Sequence, residues 1–423
     1  MTRIMVAPSR DHFIRNNKAF FYLADTAWSA FTNIPQSEWE EYLDYRQAQG
    51  FNALQINILP QWDRTPMEFS PQPFRVAKNG RWDFSRPEPA YFEKAVRMLG
   101  AAREHGMTPA LAVLWCDFIR GTWACAKMPD HEMPLEAIPP YVELVGRTFK
   151  DVDPIFLVSG DTDFRSPETT ERYLLALRTI KRACPNSLTT LHLNPLADLP
   201  QEIVASPELD FYMFQSGHDA PQDLPVKLSA KFADLVPKRP VVNGEPCYEG
   251  HGFGNTYGRF GAFHVRKAIW QSLLSGAKAG VTYGAHGVWS WHHRGSPFGS
   301  TAFSSTPYPW SVALRLPGAW DAGFAKWVLE TFDLFDLEPV AEGLNGQDGI
   351  RLAMSPGREK IAAYIPYAAD IRFELDLSGH EAFLINLTDR AIVKPVFRPS
   401  SEGGTVLWLH DFNSDSLFLA FRR

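Results

Sequence analysis

The chain has 423 residues, 45% of them hydrophobic and 21% charged, which is enough apolar material for a large core plus a small appendage and excludes a disordered protein. A formal charge of -6 without a Lys/Arg cluster argues against a nucleic-acid partner, whose phosphates call for a basic face. Four cysteines (Cys116, Cys125, Cys184 and Cys247) form no CxxC pair, and no apolar run reaches the roughly 18 residues of a membrane span, so neither a disulfide framework nor a bilayer partner is expected.

From the N-terminus, short apolar, β-branched or aromatic runs alternate with stretches of helical period, the pattern of repeated βα units. Strands are predicted at FFYLADTAW (20–28), FNALQINIL (51–59), MTPALAVLW (107–115) and PIFLVSGD (154–161). Four more follow at LTTLHLN (188–194), LDFYMFQSG (209–217), PVVNGEP (240–246) and VTYGAHGVWSW (281–291). Helices are predicted over 37–50, with Ser37 as N-cap and Gly50 at the end, and over 89–106, 167–184 and 261–280; the stretch after the fifth strand carries no clear helical signal. A last helix from Trp320 closes the set, after a Gly/Ser/Pro-rich loop over 294–309 placed to cover one end of the barrel. The fold class expected is therefore α/β, a (β/α)8 TIM barrel.

Near residue 338 the texture changes. RLAMSP, KIAAYIPY, IRFELDL, EAFLINL and TVLWLHDF are short alternating runs between turn residues, which predicts a small antiparallel β-sandwich. The expected division is 1–337 for the barrel and 338–423 for the sandwich. The first residues lack a secretory apolar segment, so the expected compartment is the cytoplasm.

In a (β/α)8 barrel the reactive groups stand at the C-terminal ends of strands. The fourth strand ends in SGDTDF and the seventh in NGEPCYEG, each with a carboxylate directly after Gly: Asp161 and Glu245. Breaking a glycosidic bond needs one group to protonate the leaving oxygen and another to trap or stabilise the oxocarbenium-like carbon, so two facing carboxylates are the minimal apparatus. The bland alternative for Asp161 is a helix cap or a loop salt bridge, since Asp163 lies two residues on. For Glu245, between Gly and Pro, a structural role is hard to find, and Glu249 is its rival or a substrate contact.

Other polar or aromatic residues near strand ends complete a candidate sugar-binding ring: Asp25 and Trp28, Gln55 and Asn57, Trp115 and Asp117, His192 and Asn194, Gln215 and His218, Tyr248, and Trp289, Trp291 and His292. Asp25 in DTAW would grip a sugar hydroxyl by a charge-assisted bond, or fix the first loop. The pair His292 and His293 does not predict a metal, because neighbours on a strand point to opposite faces and no HxH follows the first strand. No cofactor is expected.

FFYLADTAW, QAQGFNALQINIL, IFLVSGD, VVNGEPCYEG and YGAHGVWSW, in that order, resemble the apiosidase-like glycoside hydrolases over about residues 10–335. The resemblance implies a retaining mechanism with Asp161 as acid/base and Glu245, in the NGEPxYEG motif, as nucleophile. It also implies a plant-type carbohydrate substrate, apiose being the family's named sugar. Relatives often begin with a secretion signal, whereas this chain starts almost at the barrel, which points to small imported oligosaccharides or glycosides. The loop over 294–309 and the segment 60–89 are where substrate choice is expected to vary. A catalytically silent carbohydrate-binding protein is the competing class, and transfer to an acceptor other than water is the competing chemistry. No motif speaks to oligomeric state.

Overall fold

The computed structural model describes residues 3–254, 256–340, 344, 349–401, 403–408 and 414–423. Eight parallel strands form the central sheet: β1 (Tyr22–Thr26), β2 (Ala53–Asn57), β3 (Thr108–Trp115), β4 (Ile155–Gly160), β5 (Thr189–Thr190), β6 (Tyr212–Gln215), β7 (Val241–Glu245) and β8 (Gly280–Tyr283). Their order is β5-β4-β3-β2-β1-β8-β7-β6, and β8 pairs with β1 from Gly280 opposite Tyr22 to Tyr283 opposite Asp25. Between β5 and β6 the ladder is replaced by two bonds, Asp210 N–H to Thr189 O at 3.0 Å and Thr190 Oγ1 to Phe211 O at 2.7 Å, so the barrel is nearly closed. These strands are buried on both faces, which is why they read as apolar runs and not as alternation.

All eight predicted strands are present, with one consequential difference. β8 stops at Tyr283, and residues 285–291 turn back over the barrel end. Trp289, Trp291 and His292 therefore stand on a loop, where the two-face alternation of a strand does not apply.

The helix Gln36–Ala48 begins one residue before Ser37, because Pro35, in extended conformation, already accepts the N–H groups of Glu38 and Trp39. Ser37 thus lies inside the first turn and is not the cap. The predicted helices at Pro89–Glu104, Pro167–Ala183, Ala262–Leu273 and Gly318–Thr331 form, and Ser166 caps the second of these by accepting from Thr169 N–H at 3.3 Å. Two helices that the sequence pattern did not single out, Ile138–Phe149 and Leu224–Ala233, start with prolines that look like breakers but are tolerated in a first turn. After β5 only Gln201–Val204 is helical. No helix among the described residues is long and apolar enough to cross a membrane.

A three-stranded antiparallel sheet (Met5–Val6, Phe13–Arg15, Lys18–Phe20) plugs the N-terminal end of the barrel, with Phe13 edge-on to Phe211 at 5.1 Å. From Glu338 onward the chain forms a six-stranded and a three-stranded antiparallel sheet. The strand Ser416–Arg422, which the pattern did not nominate, is central, pairing with both Lys360–Ile365 and His380–Asn386. Of TVLWLHDF, Thr405–Trp408 is a strand and 409–412 lie outside the described residues.

Period-two alternation decides what each face of the larger sheet meets. Ile361, Ala363, Ile365, Phe418 and Ala420 pack towards the smaller sheet with Phe373 and Leu407, while Ala362, Tyr364, Leu417 and Leu419 join the barrel core. At that junction Arg266 donates to both oxygens of Asp415 at 2.7–3.1 Å and to Asp321 at 3.0 Å, all three side chains being buried.

Candidate active site

At the C-terminal end of the barrel a cavity of about 400 Å³ is walled by Trp28, Trp115, Trp123, Tyr248 and Trp289, with Phe298 and Phe303 contributed by the loop over 294–309. Asp161, Asn194, Gln215, His218 and Glu245 line it, so strands β4 to β7 deliver their terminal polar residues to one space. Gly160 makes this possible locally: a Cβ there would fall 1.8 Å from the indole of Trp115, so any side chain would displace that ring. Asp161 follows with φ of 48°, a left-handed turn that Asp tolerates better than most residues.

Glu245 sits in a cradle of donors. Gln215 Nε2 donates to its Oε1 at 2.9 Å, and His218 Nε2 lies 3.1 Å from the same oxygen. His192 Nε2 lies 3.4 Å from Oε2. Both imidazoles are oriented from behind, His192 Nδ1 accepting the N–H of Asp161 at 3.1 Å and His218 Nδ1 accepting that of Tyr248 at 3.2 Å. A neutral imidazole with Nδ1 as acceptor carries its proton on Nε2, so His218 donates to Glu245, and His192 turns its N–H towards the carboxylate from 3.4 Å without completing a hydrogen bond. Trp28 Nε1–H donates to Tyr248 Oη at 2.9 Å, and burial and then the charge of Glu245 raise that phenol well above its usual value.

The two carboxyls consequently differ in acidity. Burial alone would raise Glu245, but the Nε2–H groups of His192 and His218 that face it outweigh burial and lower the group to about 2. Asp161 is pushed well above the ordinary carboxylate value, by burial first and then by the charges of Glu245 and Asp63, against a single 3.3 Å bond from Asn194 Nδ2. The arrangement favours the ionised form of Glu245 and the protonated form of Asp161, so the two acidities are pushed apart. The loop salt bridge considered for Asp161 belongs instead to Asp163, which pairs with Arg165 and accepts Trp123 N–H.

Several predicted contacts do not reach the cavity. Asp25 points outward into the helix layer, where Arg46 Nε and Tyr42 Oη donate to it at 2.7 Å each, so it is committed to the helices and does not face a sugar. Gln55 lies inside the barrel, donating to Gly244 O at 2.9 Å, and steadies the strand that carries Glu245. Asn57 donates to Gln61 Oε1 at 2.8 Å, and Asp117 is spent on His131 Nδ1 at 2.8 Å. Glu249 accepts from Tyr283 Oη at 2.7 Å and from Gly318 N–H at 2.8 Å, tying β8 to the last barrel helix. Trp291 stacks on Trp310 at 4.5 Å and donates to Glu38, behind the barrel wall. His292 bonds to Thr65 Oγ1 at 3.2 Å.

Gln61, Trp62 and Asp63, from the turn after β2, form one wall; they fall in the segment 60–89 expected to vary with substrate, though none was singled out. Trp123 with Lys127, not anticipated, forms another. Asp63 is raised to about 7, by burial first and then by the charges of Asp117 and Glu245. The signal for this wall was available, since the turn follows a strand end, but it lies beyond the last strand residue and carries no motif. A neighbouring cavity of about 510 Å³ shares Gln61 and Trp62 with the first. Behind Glu245, His218 stacks on His251 at 4.1 Å, and burial lowers both His251 and His286, the latter to about 3, so these rings are uncharged near neutral pH.

The catalytic-domain model of the apiosidase-like family matches residues 8–336. Among curated proteins no sequence matches this chain. Among solved structures, a glycoside hydrolase is similar with a TM-score of 0.80 at 19% identity, covering 100% of this chain and 97% of that one. A glycoside hydrolase of family 5 from Bacteroides vulgatus ATCC 8482 gives 0.79 at 18% identity, covering 99% and 93% respectively. At these identities the likeness is one of fold.

Proposed function

Because the chain belongs to the apiosidase-like family and is a glycosidase, we propose that it works by the retaining mechanism, with Glu245 as nucleophile and Asp161 as acid/base. Glu245 attacks the anomeric carbon as the glycosidic bond breaks, and Asp161 gives its proton to the departing oxygen. Asp161, now ionised, then takes a proton from water, whose oxygen displaces Glu245 and releases the sugar. The observation that carries this reading is the opposed environments of the two groups, one held ionised by donors and the other kept protonated by burial beside it.

The substrate class proposed is a plant-type oligosaccharide or glycoside, an apiose-bearing one included, met in the cytoplasm. Residues 1–337 form the proposed catalytic unit, and 338–423 an appendage that stabilises it through the Arg266 junction. The test is an assay of wild type, Glu245→Ala and Asp161→Ala on a panel of aryl glycosides, with the first-formed anomer read by NMR. Retention of configuration in wild type and loss of turnover in both variants are expected. Inversion, or undiminished hydrolysis by either variant, would overturn the assignment, and binding without turnover by wild type would favour a silent binding protein.

A further inference from the structure

We propose that Asp63 is the specificity-determining acceptor of this cavity, taking a hydrogen bond from a hydroxyl of the bound sugar and, with the carboxylates around it, restricting that sugar to one without a carboxylate of its own. The proposal rests on the glycosidase reading above and adds the substrate's chemical class. Asp63 lines the cavity partly exposed and its Oδ1 meets no hydrogen-bond partner among the described residues, whereas Asp161 and Glu245 are both held by protein donors. A buried acceptor in that condition is costly unless a ligand or water satisfies it.

The same condition recurs around the cavity. Gln61 Nε2 and Trp115 Nε1 are buried donors without partners among the described residues, and Gln215 Oε1 is a buried acceptor without one; these three residues are only 2%, 5% and 5% exposed. These three atoms have almost no accessible surface, so they belong to the wall of the cavity and do not themselves meet a ligand in this conformation.

Charge then narrows the sugar. Four carboxylic residues line the cavity, Asp63, Asp161, Asp219 and Glu245, against Lys127 as the one Lys or Arg among the described lining residues. Lys127 lies over the Trp62 and Trp123 rings, 5.3 and 4.7 Å from their centroids. A ligand carboxylate would meet the ionised Glu245 and, above about pH 7, an ionised Asp63, whereas a hydroxyl meets the acceptor it needs. The pKa of Asp63 is raised by burial first and then by the charges of Asp117 and Glu245, the latter sharing this cavity.

The test uses the full chain and a panel of 4-nitrophenyl pentosides, hexosides and uronides, followed by deoxy derivatives of the best substrate. Wild type is expected to cleave every uronide at under about 1% of the rate of that neutral glycoside. Asp63→Asn should lower kcat/KM on it by roughly 10- to 100-fold, the loss of a charge-assisted bond. One deoxy derivative should be as poor for wild type, and Asp63→Asn should no longer distinguish it from the parent sugar, a readout that a merely structural role would not produce. Asp63→Glu, run beside it, guards against a folding defect in the first variant. Uronide turnover comparable to that of the neutral sugar, wild-type kcat/KM in Asp63→Asn, or full discrimination of every deoxy derivative by Asp63→Asn overturns the proposal. No turnover of any glycoside by wild type sinks the glycosidase reading and this one with it, whereas turnover indifferent to Asp63 sinks this one alone.

Discussion

His192 stands 3.4 Å from Glu245 Oε2 through Nε2 while its Nδ1 holds the backbone N–H of Asp161, so one imidazole joins the ends of β4 and β7. The proposed nucleophile is thereby oriented by the same peptide that carries the proposed acid. His218 repeats the arrangement from β6, with Tyr248 N–H behind it.

Replacing His192 or His218 by Ala should move the acidic limb of the kcat/KM profile to higher pH. Their donors keep Glu245 at about 2, and without one of them burial drives the group upward. Activity at about pH 4 to 5 should then fall more than activity at about pH 7, as a rate profile on one aryl glycoside would show. An acidic limb unmoved in both variants would count against the cradle. The stability sign is the same: the depressed Glu245 contributes fully above its unfolded value of 4.5, and the contribution is lost as pH falls towards about 2.

Asp161→Asn should slow hydrolysis according to the leaving group. A dinitrophenolate needs no proton, so formation of the glycosyl-enzyme should change by less than about tenfold, whereas an alkyl glycoside should lose roughly 100- to 10,000-fold. Wild-type activity falls as pH rises through the elevated Asp161 value, and that basic limb should vanish in the variant. Pre-steady-state rates across a leaving-group series would check both; equal losses for all leaving groups would remove Asp161 from the acid role.

Asp25 should matter to stability and not to chemistry. Removing it strands Arg46 in a fully buried site, a change that costs about 3–5 kcal/mol for a broken buried pair. Asp25→Ala should therefore unfold at distinctly lower urea concentration, while kcat/KM of the folded enzyme stays within about twofold of wild type. A selective loss of kcat/KM at unchanged stability would restore Asp25 to the sugar site.

Arg266→Ala should loosen the appended sheets, because Asp415 and Asp321 would remain buried without their shared cation. A loss of about 3–5 kcal/mol is expected, with partial recovery in Arg266→Lys, which keeps the charge but not the fork. Calorimetry of the three proteins measures it, and a melting profile unchanged in Arg266→Ala would show that apolar packing alone seats the sheets.

What could be read in the sequence followed from local chemistry. Apolar runs buried on both faces announced the barrel strands, and a carboxylate directly after Gly160 and Gly244 marked where β4 and β7 leave the core. The same reasoning misplaced Asp25, since a strand-end carboxylate looks alike whether its side chain turns to the barrel mouth or to the helices. The partner that decides, Arg46, lies 21 residues on, and its meeting with Asp25 is a matter of helix packing. Trp291 and His292 were misjudged because β8 ends at Tyr283, a length that apolar character beyond it concealed.

The sequence by itself determined the eight barrel strands, five of the helices and the two carboxylates that follow Gly at the ends of β4 and β7, because side-chain periodicity and glycine conformation act over a few residues. Only the tertiary structure decided their unequal acidity, since burial, the His192 and His218 donors and the charge of Asp63 converge on them from four strand ends and a loop. Electrostatic interaction depends on distance through space and on the loss of water, and neither is written in the spacing of residues along the chain.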